Sequence, residues 1–307
     1  MIRWRLNSKK RSEEEGELFM KLRAQGKMQS RYKLLLASVL LFSSAVNASG
    51  GKLLGTGGVT SIDGAAGGGL TPWALISSYA ESGEWGGTAS VSQANVSDFR
   101  LDLAAASMSY NNRMEFSVAR QTFDLPELIG GELKQTIYGA KFRVAGDVIY
   151  GRMPQLSVGI QYKENTTYAV PQAVGAVRDS DWEAYVAVSR AWLNGPFNRT
   201  WIVNGALRGT RANETGLLGF GSAENDDHEI MAEVSAGVFL HRSLAVGAEY
   251  RQKPDNLAFA KESDWTSLFV AWFPSKSLAI TGAYLDLGEI AGLTGQDGFY
   301  LSLQGSF

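Results

Sequence analysis

The chain has 307 residues, 29 Lys and Arg against 31 Asp and Glu, a formal net charge of −2 and no cysteine. The absence of cysteine excludes a disulfide scaffold, so backbone hydrogen bonds and side-chain packing must hold the fold. Ten of the basic residues but only four of the acidic ones fall before residue 49, and the acidic remainder lacks the basic stripe that nucleic-acid phosphates require.

Residues 1–48 read as an export signal with an extension. Arg31 and Lys33 precede the apolar run Leu34 to Phe42, and Val46 and Ala48 stand where a signal peptidase reads small residues. The run is far shorter than the ~20 residues of a spanning helix, so cleavage after Ala48 is expected rather than anchorage. Residues 1–27, with Glu13, Glu14, Glu15 and Glu17, do not fit a leader. Met28 is therefore the expected start. Alternatively, 1–27 is a cytoplasmic extension removed with the leader.

Residues 49–84 are rich in glycine and carry two expectations. They tuck into a lumen, or 52–62 and 73–82 supply two strands. After residue 84 the recurring unit is about ten alternating residues followed by turn residues, the pattern of a strand between lipid and a watery lumen. Strands are predicted at 85–95, 100–110, 114–123, 134–146, 155–164, 181–192, 200–210, 228–240, 244–253, 264–273, 278–287 and 298–307. In the strand at 228–240, Ile230, Ala232 and Val234 oppose Glu229, Met231 and Glu233. The strand at 264–273 is ambiguous, because Leu268, Phe269, Val270 and Trp272 populate both faces. Short turns at 111–113, 194–197, 241–243 and 274–277 alternate with longer connections at 124–132, 165–180, 212–227, 254–263 and 288–297. The fold class is all-β: a transmembrane antiparallel up-and-down β-barrel of about 12 strands, or 14 if 52–82 contributes two.

A one-face-wet soluble sandwich also alternates. However, charged residues on the polar face could not sit unpaired in a dry sandwich core. Trp73, Trp85, Trp182, Trp192, Trp201, Trp265, Trp272 and Phe273 cluster at strand ends, as interfacial girdles do. The last strand puts Phe299, Leu301, Leu303 and Phe307 on one face, and its terminal Phe resembles the assembly signal of bacterial outer-membrane barrels.

The opening GGVTSIDGAAGGGLTPWA, residues 57–74, resembles the signature of a proteobacterial family of exported proteins known only as a domain of unknown function. The resemblance runs from about Gly51 to Phe307. It implies an outer-membrane barrel without an assigned activity, and it transfers no site residues.

Candidate chemistry is sparse. Gly55-Thr56-Gly57-Gly58 lacks the preceding strand and following helix of a nucleotide loop. His241 and Ser243 have the spacing of a base and nucleophile, but they fall in a short turn without an orienting third group. Asp226, Asp227, His228 and Glu229 form an acidic run, read as a solvated loop tip rather than a metal site. No catalytic residue, metal or cofactor is expected, and the protein is not read as an enzyme. The stronger signal is the set of lumen-facing charges: Lys141, Arg143, Lys163 and Arg208 with Glu183, Glu229, Glu233 and Glu249. Basic and acidic walls facing each other would select solutes, whereas pairing across the interior would brace the wall. The function expected is a monomeric barrel in the bacterial outer membrane, a narrow channel for a small solute. The alternative is a closed barrel with a structural or partner-binding role, and an outer-leaflet lipid enzyme is the weakest reading. The expected partners are outer-membrane lipid, the barrel assembly machinery and a small solute, with no nucleic acid.

Overall fold

The computed structural model describes residues 58–78, 83–125 and 131–307. The leader, Met28, the cleavage site and the first half of the candidate strand at 52–62 lie outside them. A two-residue hairpin, β1 (Val59–Thr60) with β2 (Ala66–Gly67), precedes twelve long strands. These are β3 (Trp85–Val96), β4 (Arg100–Tyr110), β5 (Met114–Asp124), β6 (Glu132–Ala145), β7 (Gln155–Asn165), β8 (Ser180–Trp192), β9 (Thr200–Thr210), β10 (Glu229–His241), β11 (Leu244–Arg251), β12 (Trp265–Ser275), β13 (Leu278–Asp286) and β14 (Asp297–Ser306). Each pairs antiparallel with its sequence neighbours, and β14 pairs with β3 to close the barrel. The closure leaves no edge onto which further strands could add, so the fourteen-strand alternative is excluded. No long helix is needed, because a closed barrel satisfies every strand's hydrogen bonds internally.

Strict alternation of side chains places the two faces. On β10, Ile230 and Val234 are exposed, whereas Met231, Glu233 and Ser235 are buried. On β14, Phe299, Leu301 and Phe307 point out. Phe307 then closes the seam: its N–H and C=O bond to Gly87 of β3 at 2.9 and 2.8 Å, and its ring lies where a Cβ on Gly87 would sit. Tight connections follow from local chemistry. Asn111 and Asn112 both take positive φ, which short hairpins need and asparagine tolerates.

The aromatic girdle is smaller than the sequence suggested. Trp85 stacks near Tyr110 with ring centroids 4.7 Å apart, and Trp182 lies 5.0 Å from Tyr162. Trp192, Trp201 and Trp272 also face outward. Trp73 and Trp265 are buried inside, and Phe273 is turned inward. Trp265 and Phe273 share parity with Phe269, and Trp73 belongs to the segment within the barrel, so position near a strand end misassigned all three. The alternation of connection lengths is also imperfect. The β6–β7 connection, 146–154, is long although it shares an end with the short turns. Asp147 folds it by accepting the Ile149 and Tyr150 amides at 2.9 and 2.8 Å, and Val148 O accepts from Ala191 N at 2.7 Å.

Val234 tests the outward assignment. Val234→Arg places a guanidinium on the lipid face at a cost of about 2–4 kcal/mol. The expected outcome is a lower urea midpoint for the heat-modifiable barrel, with Val234→Leu unchanged.

Candidate functional site

The barrel encloses residues 58–78, which are almost entirely buried. In that stretch Asp63 is the one charged residue. The stretch makes little structure of its own, so the inward side chains of the wall satisfy its backbone. Lys141 donates to the carbonyls of Ala66, Trp73 and Leu75 at 2.9, 3.1 and 2.7 Å. Glu115, paired with Lys141 at 3.2 Å, accepts the amides of Ala66 and Ser77 at 3.0 and 2.7 Å. Glu249 accepts Leu70 N and Thr71 Oγ1, both at 2.9 Å. Gln121, Gln155, Ser157 and Asn204 donate to further carbonyls of the segment. Glycine fits here for reasons a side chain could not meet: Gly64 has φ +86°, and a Cβ on Gly67 would stand 2.1 Å from the Thr71 carbonyl oxygen.

Below the loop end, five consecutive strands contribute charges of alternating sign: Lys163 on β7, Glu183 on β8, Arg208 on β9, Glu233 on β10 and Arg251 on β11. Lys163 meets Glu183 at 2.9 Å, and Arg208 meets Glu183 at 2.9 Å and Glu233 at 2.6 Å. The wall alone carries one excess positive charge, and Asp63 cancels it. Its carboxylate lies 3.2 Å from Lys163, 3.2 Å from Arg208 and 2.8 Å from Arg251. All six side chains are buried. The neutral cluster therefore exists only when the segment is in place.

A second piece of chain enters from the opposite end. In the β9–β10 connection, Glu214, Thr215 and Gly216 all have positive φ. For Glu214 and Thr215 this conformation costs about 1–3 kcal/mol each and persists only when contacts over-determine it. Here the Thr215 carbonyl accepts from Lys163 at 3.1 Å and Gln135 at 3.3 Å, and Asn165 donates to Leu217 O at 2.6 Å. Lys163 thus joins this loop to Asp63 of the inserted segment. Lys253, 4.6 Å from the centre of the Trp265 ring, binds Glu214 at 2.5 Å and lies 3.7 Å from Glu262.

The sequence-predicted residues are distributed as follows. Lys141, Lys163, Glu183, Arg208, Glu233 and Glu249 are buried on the inner face and meet the inserted chain or each other. They do not form separated basic and acidic walls, because neighbouring strands bring opposite charges within bonding distance. Arg143 lies at the turn-end mouth against Gly146 O, at 2.6 Å, and Asp147. Glu229 lies at the loop end, bonded to Asn225 at 2.6 Å. Asp63, Glu115 and Arg251 were missed as site residues. Asp63 had a signal, a lone carboxylate in a long uncharged Gly-rich stretch. Asp226 is engaged by Arg178 and Arg211, and His228 by Trp182 O at 3.0 Å and Asp181 at 3.3 Å. Among the described residues no three His, Asp or Glu side chains converge for a metal. His241 Nδ1 meets Ser243 Oγ at 3.0 Å, exposed in a turn.

A closed, even-stranded antiparallel barrel, apolar outside and polar-bonded inside, defines an outer-membrane β-barrel, here with chain in its lumen. The chain belongs to the family described as "Protein of unknown function (DUF3034)", whose model matches residues 56–304. No curated protein matches the sequence. Among solved structures, the chain is similar to the NanC porin, at 10% identity over 71% of this chain and 98% of that one, with a TM-score of 0.45. It is similar to the Acinetobacter baumannii outer membrane protein Omp33 at 8% identity, covering 73% and 98%, TM-score 0.44. It is also similar to outer membrane phospholipase A from Escherichia coli at 7% identity, covering 72% and 91%, TM-score 0.36. These are likenesses of barrel architecture, and nothing about activity follows from them.

Asp63→Asn leaves three buried cations facing two carboxylates. The expected cost is about 3–5 kcal/mol, the loss for breaking a buried ion pair. Chemical denaturation should show it, and hydrogen exchange should locate the loosening in 58–78. The loop carboxylates give a pH test. Burial, and then the neighbouring Glu214, push the Glu262 carboxyl well above the ordinary value of 4.5, with Lys253 opposing and Asp255 adding. Burial also raises Glu214, against Lys253 and with Glu289. A raised folded pKa means that stability is full below the ordinary value and is lost as pH rises through the folded one. The loop over the lumen should therefore show weaker hydrogen-exchange protection, relative to the intrinsic rate at each pH, at pH 8 than at pH 5, and Glu262→Gln should flatten that difference.

Proposed function

We propose that the protein is a monomeric outer-membrane channel for a small solute, held closed by residues 58–78. One observation carries this reading. The lumen is filled by a separate length of chain bonded side chain to backbone, and not by the wall's own side chains meeting across it. Small barrels close themselves with wall side chains. A wall of twelve strands filled by an inserted segment retains a path that opens when the segment moves. The wall side chains that hold the segment, Lys141, Glu115, Glu249 and the Asp63 cluster, then line that path. The lumen-facing charges named from the sequence are its polar lining, and Arg143 stands at its periplasmic mouth. The protein performs no catalysis in this reading, and the assembly machinery inserts it through the strand ending at Phe307.

A closed barrel with a structural role is the second reading, favoured by the neutrality of the buried cluster. Planar-bilayer recording separates the two. Lys141→Ala removes the donor to three carbonyls of the inserted segment, so openings should be more frequent than in the wild type. Silent bilayers from both proteins, each verified as a heat-modifiable barrel, would leave only the structural reading. Deleting Phe307 should sharply lower the amount of folded barrel in the outer membrane, measured by heat-modifiability of the membrane fraction.

A further inference from the structure

Barrel lumens are ordinarily polar, because water fills them. Part of this one is not. On β12 the inward residues are Trp265, Ser267, Phe269, Ala271 and Phe273, and this is the strand whose two faces the sequence could not tell apart. Phe239 of β10 stacks against Phe273 with centroids 6.2 Å apart. Next along the wall lie Ile202 of β9 and Ala191 of β8, and the inserted segment presents Trp73 and Leu75. Together these surfaces bound a cavity of about 360 Å³ at the turn end. A second cavity of about 40 Å³ lies toward the loop end among Leu70, Phe123, Leu285 and Tyr300. Both are bordered by Gly69 of the segment and Phe269 of the wall.

Protein interiors pack to the density of organic crystals and leave few voids larger than a water molecule. An apolar cavity of about 150 Å³ stays dry and takes up benzene. The larger cavity here is more than twice that size. Water in it would need two to four polar partners, and the buried lining offers a single unpartnered polar side-chain atom, Trp73 Nε1. Gln155 donates to Ala74 O at 2.6 Å, and Arg143 is held by Gly146 O and Asp147. Val148 and Ile149 of the 146–154 connection fold over the mouth and add to its apolar lining. Arg143, Asn112 and Thr200 stand at the rim.

We propose that this cavity is a binding site for a small aliphatic or aromatic molecule. Its apolar body lies between Trp73 and the Phe239–Phe273 pair, and its polar end faces the rim. The proposal rests on the channel reading for its direction of traffic: it names the solute class as apolar and makes Phe269 the side chain to be passed. The site itself requires only the cavity.

The test is photolabelling of the refolded full-length mature protein in phosphatidylcholine vesicles with an apolar aryl diazirine, read by peptide mass spectrometry. Besides lipid-facing positions such as Leu268 and Val270, label is expected on Phe239, Phe273 or Trp73. Ala271→Phe fills the cavity and should abolish the lumenal label while sparing the lipid-facing label. Ile202→Gln, which nearly keeps the volume and makes the lining polar, should do the same if the bulkier variant fails to fold. Label confined to lipid-facing positions in the wild type, or lumenal label unchanged in the folded variants, would overturn the proposal. Bilayer recordings on the same preparations keep the two readings apart. Lumenal label without conductance removes the channel and leaves the site, whereas conductance without lumenal label removes the site alone.

Discussion

Asp63 is the point on which the interior depends. Burying a charge is costly unless it is paired and hydrogen-bonded, and the wall buries Lys163, Glu183, Arg208, Glu233 and Arg251 together. Alternating signs on adjacent strands pair most of that charge, but one cation remains in excess. The carboxylate that removes the excess comes from outside the wall, on a segment with scarcely any secondary structure. Insertion of that segment and assembly of the charged sector are therefore one cooperative event: each is unfavourable without the other. Lys163 extends the coupling, because the same ammonium also holds the carbonyl of Thr215 in the β9–β10 connection. The lumen is closed from both ends at a single group.

The interior shows a division of labour between sectors. Strands β5 to β11 supply Glu115, Lys141, the alternating charges and Glu249, which bond the inserted backbone. Strand β12, together with Phe239 of β10, supplies a surface that is apolar except for Ser267, which bonds Glu249. The segment is thus fastened through β5 to β11 and again by Gln304 of β14, which bonds Thr60 and Gly58, and it merely adjoins β12. Hydrogen bonds from side chains to an irregular backbone are directional and confer a unique position. Apolar contact is non-directional and tolerates a gap. That asymmetry is why the larger unfilled space collects beside β12.

Much of the wall was legible in the sequence. Period-two alternation does not depend on partners, so all twelve strands were located within two residues of their ends, and Val234 and Ser235 fell on the faces expected of them. The failures have a common cause. An aromatic residue near a strand end is compatible with a lipid interface or with a lumen, and only parity decides. Parity is clear where the opposite face is polar, as beside Trp182, and obscure where both faces are apolar, as at Phe269. Trp73 had no strand to give it a parity at all. Asp63 was passed over because a lone acid in a Gly-rich stretch gives no periodic signal.

The sequence by itself determined the alternation, the leader-like amino terminus as an expectation, the aromatic last strand and the resulting class of protein. These are local properties, written in the order of neighbouring residues and in the requirement that a strand in lipid hide its polar groups. Only the tertiary structure decided what fills the barrel, which charges meet, and that part of the lumen is apolar. Those outcomes depend on register between strands and on residue pairs such as Thr60 and Gln304, separated by 244 positions yet 2.9 Å apart. Closure of the barrel creates such proximities, and no pattern along a single chain encodes them.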